Sequence, residues 1–194
     1  MINDRFMEHR GEQEDVRYSL RPSPVGAIYI LGTDASLKAL VFKSTGAADC
    51  NIEKLFKKGE TAEIRSAALF LDDYFYAKTE TLSSAPKQES KKNSIIRLLY
   101  NGHAFHIDLS GYTQKEIRVY RELLKIPPGR TISYNKLSEK AGIPSGARFV
   151  GNAMAKNAFP IIIPCHRVIK SGGAIGNYSG GVGIKDLLLK HESR

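Results

Sequence analysis

The tightest constraint on the fold lies in the punctuation of residues 113–155. Thr113-Gln114-Lys115-Glu116 reads as a capping box, in which a hydroxyl and a carboxylate three residues apart satisfy each other's free amides at a helix start. Ile117, Tyr120 and Leu124 follow on one face of that helix. Ile126-Pro127-Pro128-Gly129 stops it, Ser133 caps a second helix through Tyr134, Leu137 and Ala141, and Gly142-Ile143-Pro144 turns the chain into a third. Helices spaced in this way form a helix-turn-helix. In the third, Ala147, Val150 and Met154 face inward and leave Arg148, Gly151, Asn152 and Ala155 outside. A nearly bare face with one cation suits a surface pressed against a nucleic-acid groove, although the same geometry occurs in proteins that never touch DNA.

Downstream, three isoleucines, Ile161, Ile162 and Ile163, run into Pro164-Cys165-His166-Arg167-Val168. The β-branched run reads as a short buried strand that delivers a thiol at its exit, with an imidazole next in the chain to hold or accept a proton. The plain alternative is a small, inert core cysteine. Near the C-terminus Ile184, Leu187, Leu188 and His191 recur at helical spacing, and Glu192 falls on the same side. An inward carboxylate needs a partner. His166 is the candidate, giving a Glu192, His166 and Cys165 arrangement, against the alternative of a terminal glutamate fraying into solvent.

The first half carries no chemical motif. Two apolar runs within residues 25–42 flank Gly32-Thr33-Asp34-Ala35 as a hairpin, and Ile64, Ala67, Ala68, Leu71 and Phe75 repeat as a helix face. Residues 79–93 are polar and read as a surface loop or hinge, after which Phe105, Ile107 and Leu109 alternate as a strand. The expected fold is therefore α+β in two domains: a polar extension over residues 1–17, a small sheet with a helix over 18–110, and a mostly helical domain over 111–194. The last holds the helix-turn-helix and the short strand leading to Cys165.

Charge and cysteine usage narrow the function classes. Lys and Arg total 29 against 20 Asp and Glu, a net charge of +9, which favours a polyanionic partner, nucleic acid before membrane. The 2 cysteines, Cys50 and Cys165, are far apart and form neither a disulfide framework nor a zinc motif, so no metal is expected and a reducing compartment fits. His103 and His106 lie on a strand rather than at a helical ligand spacing. No apolar stretch approaches the ~20 residues needed to span a bilayer.

Taken in order, Ile126-Pro127-Pro128-Gly129, Ser133-Tyr134, Arg148 with Val150-Gly151, Pro164-Cys165-His166-Arg167-Val168, Gly176-Asn177-Tyr178-Ser179-Gly180-Gly181 and the closing Leu188 to Glu192 resemble the O6-alkylguanine-DNA alkyltransferases. The resemblance is tight from Thr113 to Glu192 and looser before it. It implies a DNA repair protein that flips an O6-alkylguanine, chiefly O6-methylguanine and in some cases O4-alkylthymine, out of duplex DNA and takes the alkyl group irreversibly onto Cys165. By that resemblance His166 is a water-mediated base, Glu192 orients it, and Tyr134 crowds the phosphate and protonates the departing guanine. Arg148 fills the vacated stack, Asn157 is a hinge, and Val168, Tyr178, Ser179 and Pro160 line the base pocket. Gly151, Ala155, Asn135 and Ser171, with Arg148 and Tyr134, meet DNA through the minor groove without sequence preference. No cofactor, no membrane and a monomer are implied, in the cytoplasm with the nucleoid or in a nucleus.

Departures from the family pattern fall beside the reacting atoms. Lys115, Glu116 and Tyr120 replace the usual aromatic-Gln and Trp, Ala158 replaces the common proline after Asn157, and Phe149 replaces a small residue. Three rival readings compete: a lesion sensor that transfers nothing, against which Cys165 argues; a cysteine hydrolase; and a plain helix-turn-helix regulator, which would leave Cys165 dispensable.

Overall fold

The computed structural model describes residues 14–43, 52–77, 87–91, 94–100, 102–176, 178 and 180–193. The chain divides into two compact units, one built from residues up to 77 together with 87–111, the other containing everything from Tyr112 onward.

The first unit is a seven-stranded sheet. Its strands are β1 (Arg17–Arg21), β2 (Ile28–Gly32), β3 (Leu37–Phe42), β4 (Lys57–Lys58), β5 (Lys87–Lys91), β6 (Ile95–Tyr100) and β7 (His103–Asp108), arranged in the order β4-β1-β2-β3-β7-β6-β5. β2 and β3 pair antiparallel around the expected turn, where Thr33 Oγ1 accepts from the amides of Ala35 and Ser36. Every residue of β2 is buried, whereas β6 alternates between half-buried and buried, as strands with two and one covered faces should. Between β3 and β5 come a short helix α1 (Ile52–Leu55) and the long α2 (Ala62–Tyr76), capped by Thr61, whose hydroxyl accepts from the Ile64 amide at 3.2 Å. α2 lays Ile64, Ala67, Ala68, Phe70, Leu71, Tyr74 and Phe75 into the core, including all five positions read from periodicity. Phe70 sits between Tyr100 and Phe105 at ring distances of 4.5 and 5.7 Å.

Two readings of this half need correction. Residues 87–91, expected as loop, form β5, because β6 offers its backbone edge to them over Lys87↔Leu99 through Lys91↔Ile95 and composition does not register that pairing. β1 and β6 were not anticipated at all. The rest of the expected loop, 79–86 with 92 and 93, lies outside the described residues, as do Cys50 and residues 1–13.

The second unit is mostly helical: α3 (Gln114–Leu123), α4 (Tyr134–Lys140), α5 (Ala147–Lys156) and α6 (Val182–Glu192), with a two-stranded parallel ribbon of β8 (Ile132–Ser133) and β9 (Val168–Ile169). The capping box at Thr113 is complete, since its hydroxyl accepts from the Glu116 amide while the Glu116 carboxylate accepts from the Thr113 amide at 2.8 Å. α4 starts at the Ser133 cap and packs against α5, giving the helix-turn-helix.

Two local expectations fail here as well. Ile161, Ile162 and Ile163 are buried, but they form a tight turn rather than a strand. The Ile163 amide donates to Phe159 O at 2.8 Å, and Ile161 has a φ of 72°. Pro164, at φ −80° and ψ 63°, then centres an inverse γ-turn closed by the Cys165 amide on Ile163 O at 2.7 Å. The strand follows the cysteine instead, as β9. Burial, not extension, is what the β-branched run encodes, and packing on all sides holds a left-handed isoleucine that propensity would reject. In α6 the buried face is Lys185, Leu188 and Glu192, with Leu187 49% exposed. An apolar count could not assign a buried lysine to that face.

Candidate active site

Cys165 opens a single 3-10 turn (Cys165–Arg167) wedged between the isoleucine turn and β9, and its side chain is 2% exposed. The sulfur accepts a hydrogen bond from Asn157 Nδ2 at 3.1 Å, and the same amide group also donates to Ile163 O at 2.8 Å. Asn157 Oδ1 accepts from the Phe159 amide at 2.9 Å. One side chain thus fixes both the bend that follows α5 and the position of the thiol. Burial pushes the Cys165 thiol up from its ordinary value, while the Asn157 amide, the Tyr178 hydroxyl and the Lys185 charge act in the opposite direction. At rest the sulfur keeps its proton, and reaction requires a base to take it.

The imidazole of His166 is fully buried, and its Nε2 lies 2.9 Å from Glu192 Oε1. Burial acts to raise the Glu192 carboxyl, but the hydrogen bond from His166 and the hydrogen bonds and charge of Arg167 outweigh it and hold the group well below the carboxylate range. An ionised carboxylate has no proton to give, so Nε2 carries the hydrogen and Nδ1 is left with its lone pair. Nδ1 is buried and has no hydrogen-bond partner among the described residues. Burial also lowers the His166 pKa, against the pull of Glu192, which keeps the ring neutral and able to accept.

Two residues that the sequence reading left without a role complete the arrangement. Arg167 donates from Nε to both Glu192 oxygens at 3.1 and 3.0 Å and from Nη2 to Oε1 at 2.7 Å, and its Nη1 reaches Ile126 O at 2.6 Å. The Gly129 amide adds a donor to Oε2 at 3.2 Å. Gly129 has a φ of 73°, and a Cβ there would meet the Glu192 carbonyl oxygen at 3.0 Å, so the Pro-Pro-Gly turn is shaped to receive this carboxylate. Lys185 is completely buried, donates to Val168 O at 2.5 Å and sits 6.0 Å from the Tyr134 ring centroid. Burial lowers its pKa, and the nearby Cys165 sulfur raises it. The signal available in the sequence was its place at i, i+3, i+7 with Leu188 and Glu192.

The remaining predicted residues fall into two sets. Tyr134 and Tyr178 lie near the sulfur, and the Val168 amide donates to the Cys165 carbonyl. Burial first, and then Cys165, raises the Tyr134 phenol. That phenol packs over Gly176, where a Cβ would come within 2.7 Å of its oxygen. Pro160 and Val168 are buried and Tyr178 is half-buried. Ser179 lies outside the described residues. On the surface, Arg148, Asn152 and Ala155 of α5 are exposed, and a Cβ on Gly151 would meet nothing within 4 Å. Asn135 and Ser171 are exposed and within 3.5 Å of each other. The inward face of α5 is Val150, Ala153 and Met154, with Ala147 only half-buried. No group of acidic, His or Cys side chains among the described residues could hold a metal ion, and no described helix is long and apolar enough to cross a membrane.

Comparison with known proteins places this geometry in context. Residues 114–194 match the family described as 6-O-methylguanine DNA methyltransferase, DNA binding domain. A methylated-DNA–protein-cysteine methyltransferase of Rattus norvegicus is 34% identical over 189 residues, spanning 91% of this chain and 82% of the rat protein. With the Homo sapiens protein of the same name, identity is 54% over 76 residues, a match covering 39% of this chain and only 37% of the human one. Among solved structures, a Mycobacterium tuberculosis OGT in complex with DNA superimposes with a TM-score of 0.66 at 28% identity, covering 91% of this chain and 92% of that one.

Proposed function

The chain belongs to the methylated-DNA–protein-cysteine methyltransferase family, and from that premise we propose that it repairs alkylated DNA by taking the alkyl group of an O6-alkylguanine onto Cys165. The observation that carries the reading is the meeting, in one buried place, of a thiol held by Asn157, a neutral imidazole with a bare Nδ1, and a carboxylate locked onto that imidazole's other nitrogen.

The chemistry follows from these atoms. His166 Nδ1 takes the thiol proton through a water, and the imidazolium so formed is stabilised by Glu192. The thiolate attacks the saturated carbon on the guanine oxygen, so an S–C bond forms as the C–O bond breaks and its electron pair passes into the base. Guanine is a poor anion, and the Tyr134 phenol, kept protonated by its surroundings, supplies a proton to the ring nitrogen. The product is a thioether that water does not cleave, so each chain acts once.

Reaching a base oxygen from this pocket requires the nucleotide to leave the stack. α5 offers the docking face: small side chains at Gly151 and Ala155 would allow close backbone approach in a minor groove, and the exposed Arg148 would occupy the vacated space. Pro160, Val168, Tyr178 and Ser179 wall and read the base, Asn135 and Ser171 touch backbone, and the net charge of +9 supports sequence-independent binding.

Incubation with duplex DNA carrying labelled O6-methylguanine tests this directly. The expected result is one equivalent of label on the Cys165 peptide and none with Cys165→Ser. Turnover beyond one equivalent would indicate a hydrolase, and tight lesion binding without label a sensor.

A further inference from the structure

The bend after α5 runs through Asn157 into Ala158. A proline there would stiffen the bend and present no N–H, whereas alanine leaves the backbone freer and adds a donor that needs a partner. Tyr112 meets both needs. Its hydroxyl donates to Lys156 O at 3.0 Å and accepts from the Ala158 amide at 3.0 Å. The two bonds land on the residues immediately before and after Asn157. Its ring stands edge-on to Tyr120 at 5.2 Å, and the Tyr120 hydroxyl donates to Ala153 O at 2.7 Å one turn earlier. The end of α5 is therefore held by two phenols from the start and middle of the α3 segment, and Lys156 Nζ adds an ion pair to the buried Glu116 at 2.8 Å.

The geometry points to Tyr112 as a positioning residue for the thiol. By stapling the peptide groups on either side of Asn157, it fixes that residue's backbone at φ −61° and ψ 114°, and so aims the one side-chain amide that hydrogen-bonds Cys165 Sγ. The Tyr112 hydroxyl bonds lie on the backbone at Lys156 and Ala158. Tyr112 acts through Asn157, supplying by hydrogen bonds the rigidity that a proline ring supplies covalently.

The test uses the full chain and two readouts that do not need DNA. The first is the rate of Cys165 alkylation by iodoacetamide across pH, and the second is hydrogen exchange at the Ala158 amide. Tyr112→Phe keeps the ring and removes only the hydroxyl. It should raise the apparent thiol pKa and slow alkylation at neutral pH by about 3- to 10-fold, the span of one hydrogen bond. In a cycle with Asn157→Ala the double variant should react no more slowly than Asn157→Ala alone, because both changes break one path. Multiplicative losses in the double variant, or a Tyr112→Phe protein with unchanged thiol reactivity, would overturn the proposal. So would an unprotected Ala158 amide in the unmodified chain, a measurement independent of whether any variant folds. The alkyl-transfer rate from O6-methylguanine DNA should fall in parallel with DNA affinity unchanged. That last arm alone rests on the function proposed above, so its failure in the unmodified chain would strike that reading and leave the thiol measurements to judge Tyr112.

Discussion

The two units of this protein keep their polar groups in opposite ways. Among the described residues, the polar side chains buried in the first unit are Ser19, Thr33, Ser36 and Thr61, all neutral hydroxyls, and its ion pairs keep some contact with water, from Arg21 with Glu60 at 3.0 Å to the more covered Lys38 with Asp108 at 2.8 Å. The second unit buries the ionisable Glu116, His166, Arg167, Lys185 and Glu192 beside the neutral Ser138 and Asn157. Burying so many ionisable groups is costly unless each is paired and hydrogen-bonded. A unit needed only as scaffold has no reason to accept that cost. One that carries out the transfer proposed above does, because that reaction needs a buried base beside the thiol.

The sharpest way to break the contrast is to unpair the buried ions. Arg167→Met removes three hydrogen bonds and a positive charge from the buried Glu192, and should destabilise the second unit by about 3–5 kcal/mol, the usual result of breaking a buried ion pair by removing one partner. Denaturant titration followed by hydrogen exchange in α6 reads that loss separately from the first unit. A loss under about 1 kcal/mol would mean that water already reaches the pair, as it does in surface salt bridges.

Acid probes the same groups. The folded pKa of Glu192 is depressed, so its contribution is complete above the ordinary carboxylate range and fades as pH falls through that range and below. The folded pKa of His166 is also depressed below the ordinary imidazole value of 6.5, so the unfolded chain takes up a proton that the folded one refuses once pH drops under about 6.5. Both effects have one sign. Protection of the α6 amides should decline steadily from neutral pH to pH 4, and a flat profile would count against the buried pair.

How much of this was legible in the sequence follows the same division. Capping and turn signals at Thr113, Ser133 and Gly142 are local, and the helices they predict are where they should be. The Glu192 pairing was also legible, because a carboxylate on an inward helix face needs a partner. What escaped depends on three-dimensional packing. The isoleucine turn holds a positive φ that no propensity allows, β5 exists only because β6 pairs with it, and the face of α6 was missed because a lysine at Lys185 does not look like core. The hydroxyl of Tyr112, too, gains meaning only from a bend more than forty residues away in sequence.

Lys185 offers a subtler test, because its stability and chemical effects should have opposite signs. A buried ammonium that donates to a neutral carbonyl oxygen, here Val168 O, is a poor stabiliser, and burial lowers its pKa accordingly. Lys185→Met should leave stability unchanged or raise it by about 1–2 kcal/mol. The same change removes a positive charge that favours the Cys165 thiolate, so iodoacetamide alkylation at neutral pH should slow by about tenfold. Loss of stability without loss of reactivity would make Lys185 a packing residue only.

The smallest expected effect checks that the first unit is only scaffold for the chemistry. Thr61 caps α2 with one hydrogen bond to the Ile64 amide at 3.2 Å, and its hydroxyl has no part in the Cys165 network. Thr61→Ala should lower stability by about 1 kcal/mol, the usual worth of an N-cap, as read by exchange of the α2 amides. Thiol reactivity and its pH profile should not move at all, since the helix start is stabilised by a neutral hydroxyl whose loss shifts no charge. A change in the reactivity of Cys165 would show that the neutral unit also sets the state of the ionic one, and the division of labour drawn from their buried side chains would fail.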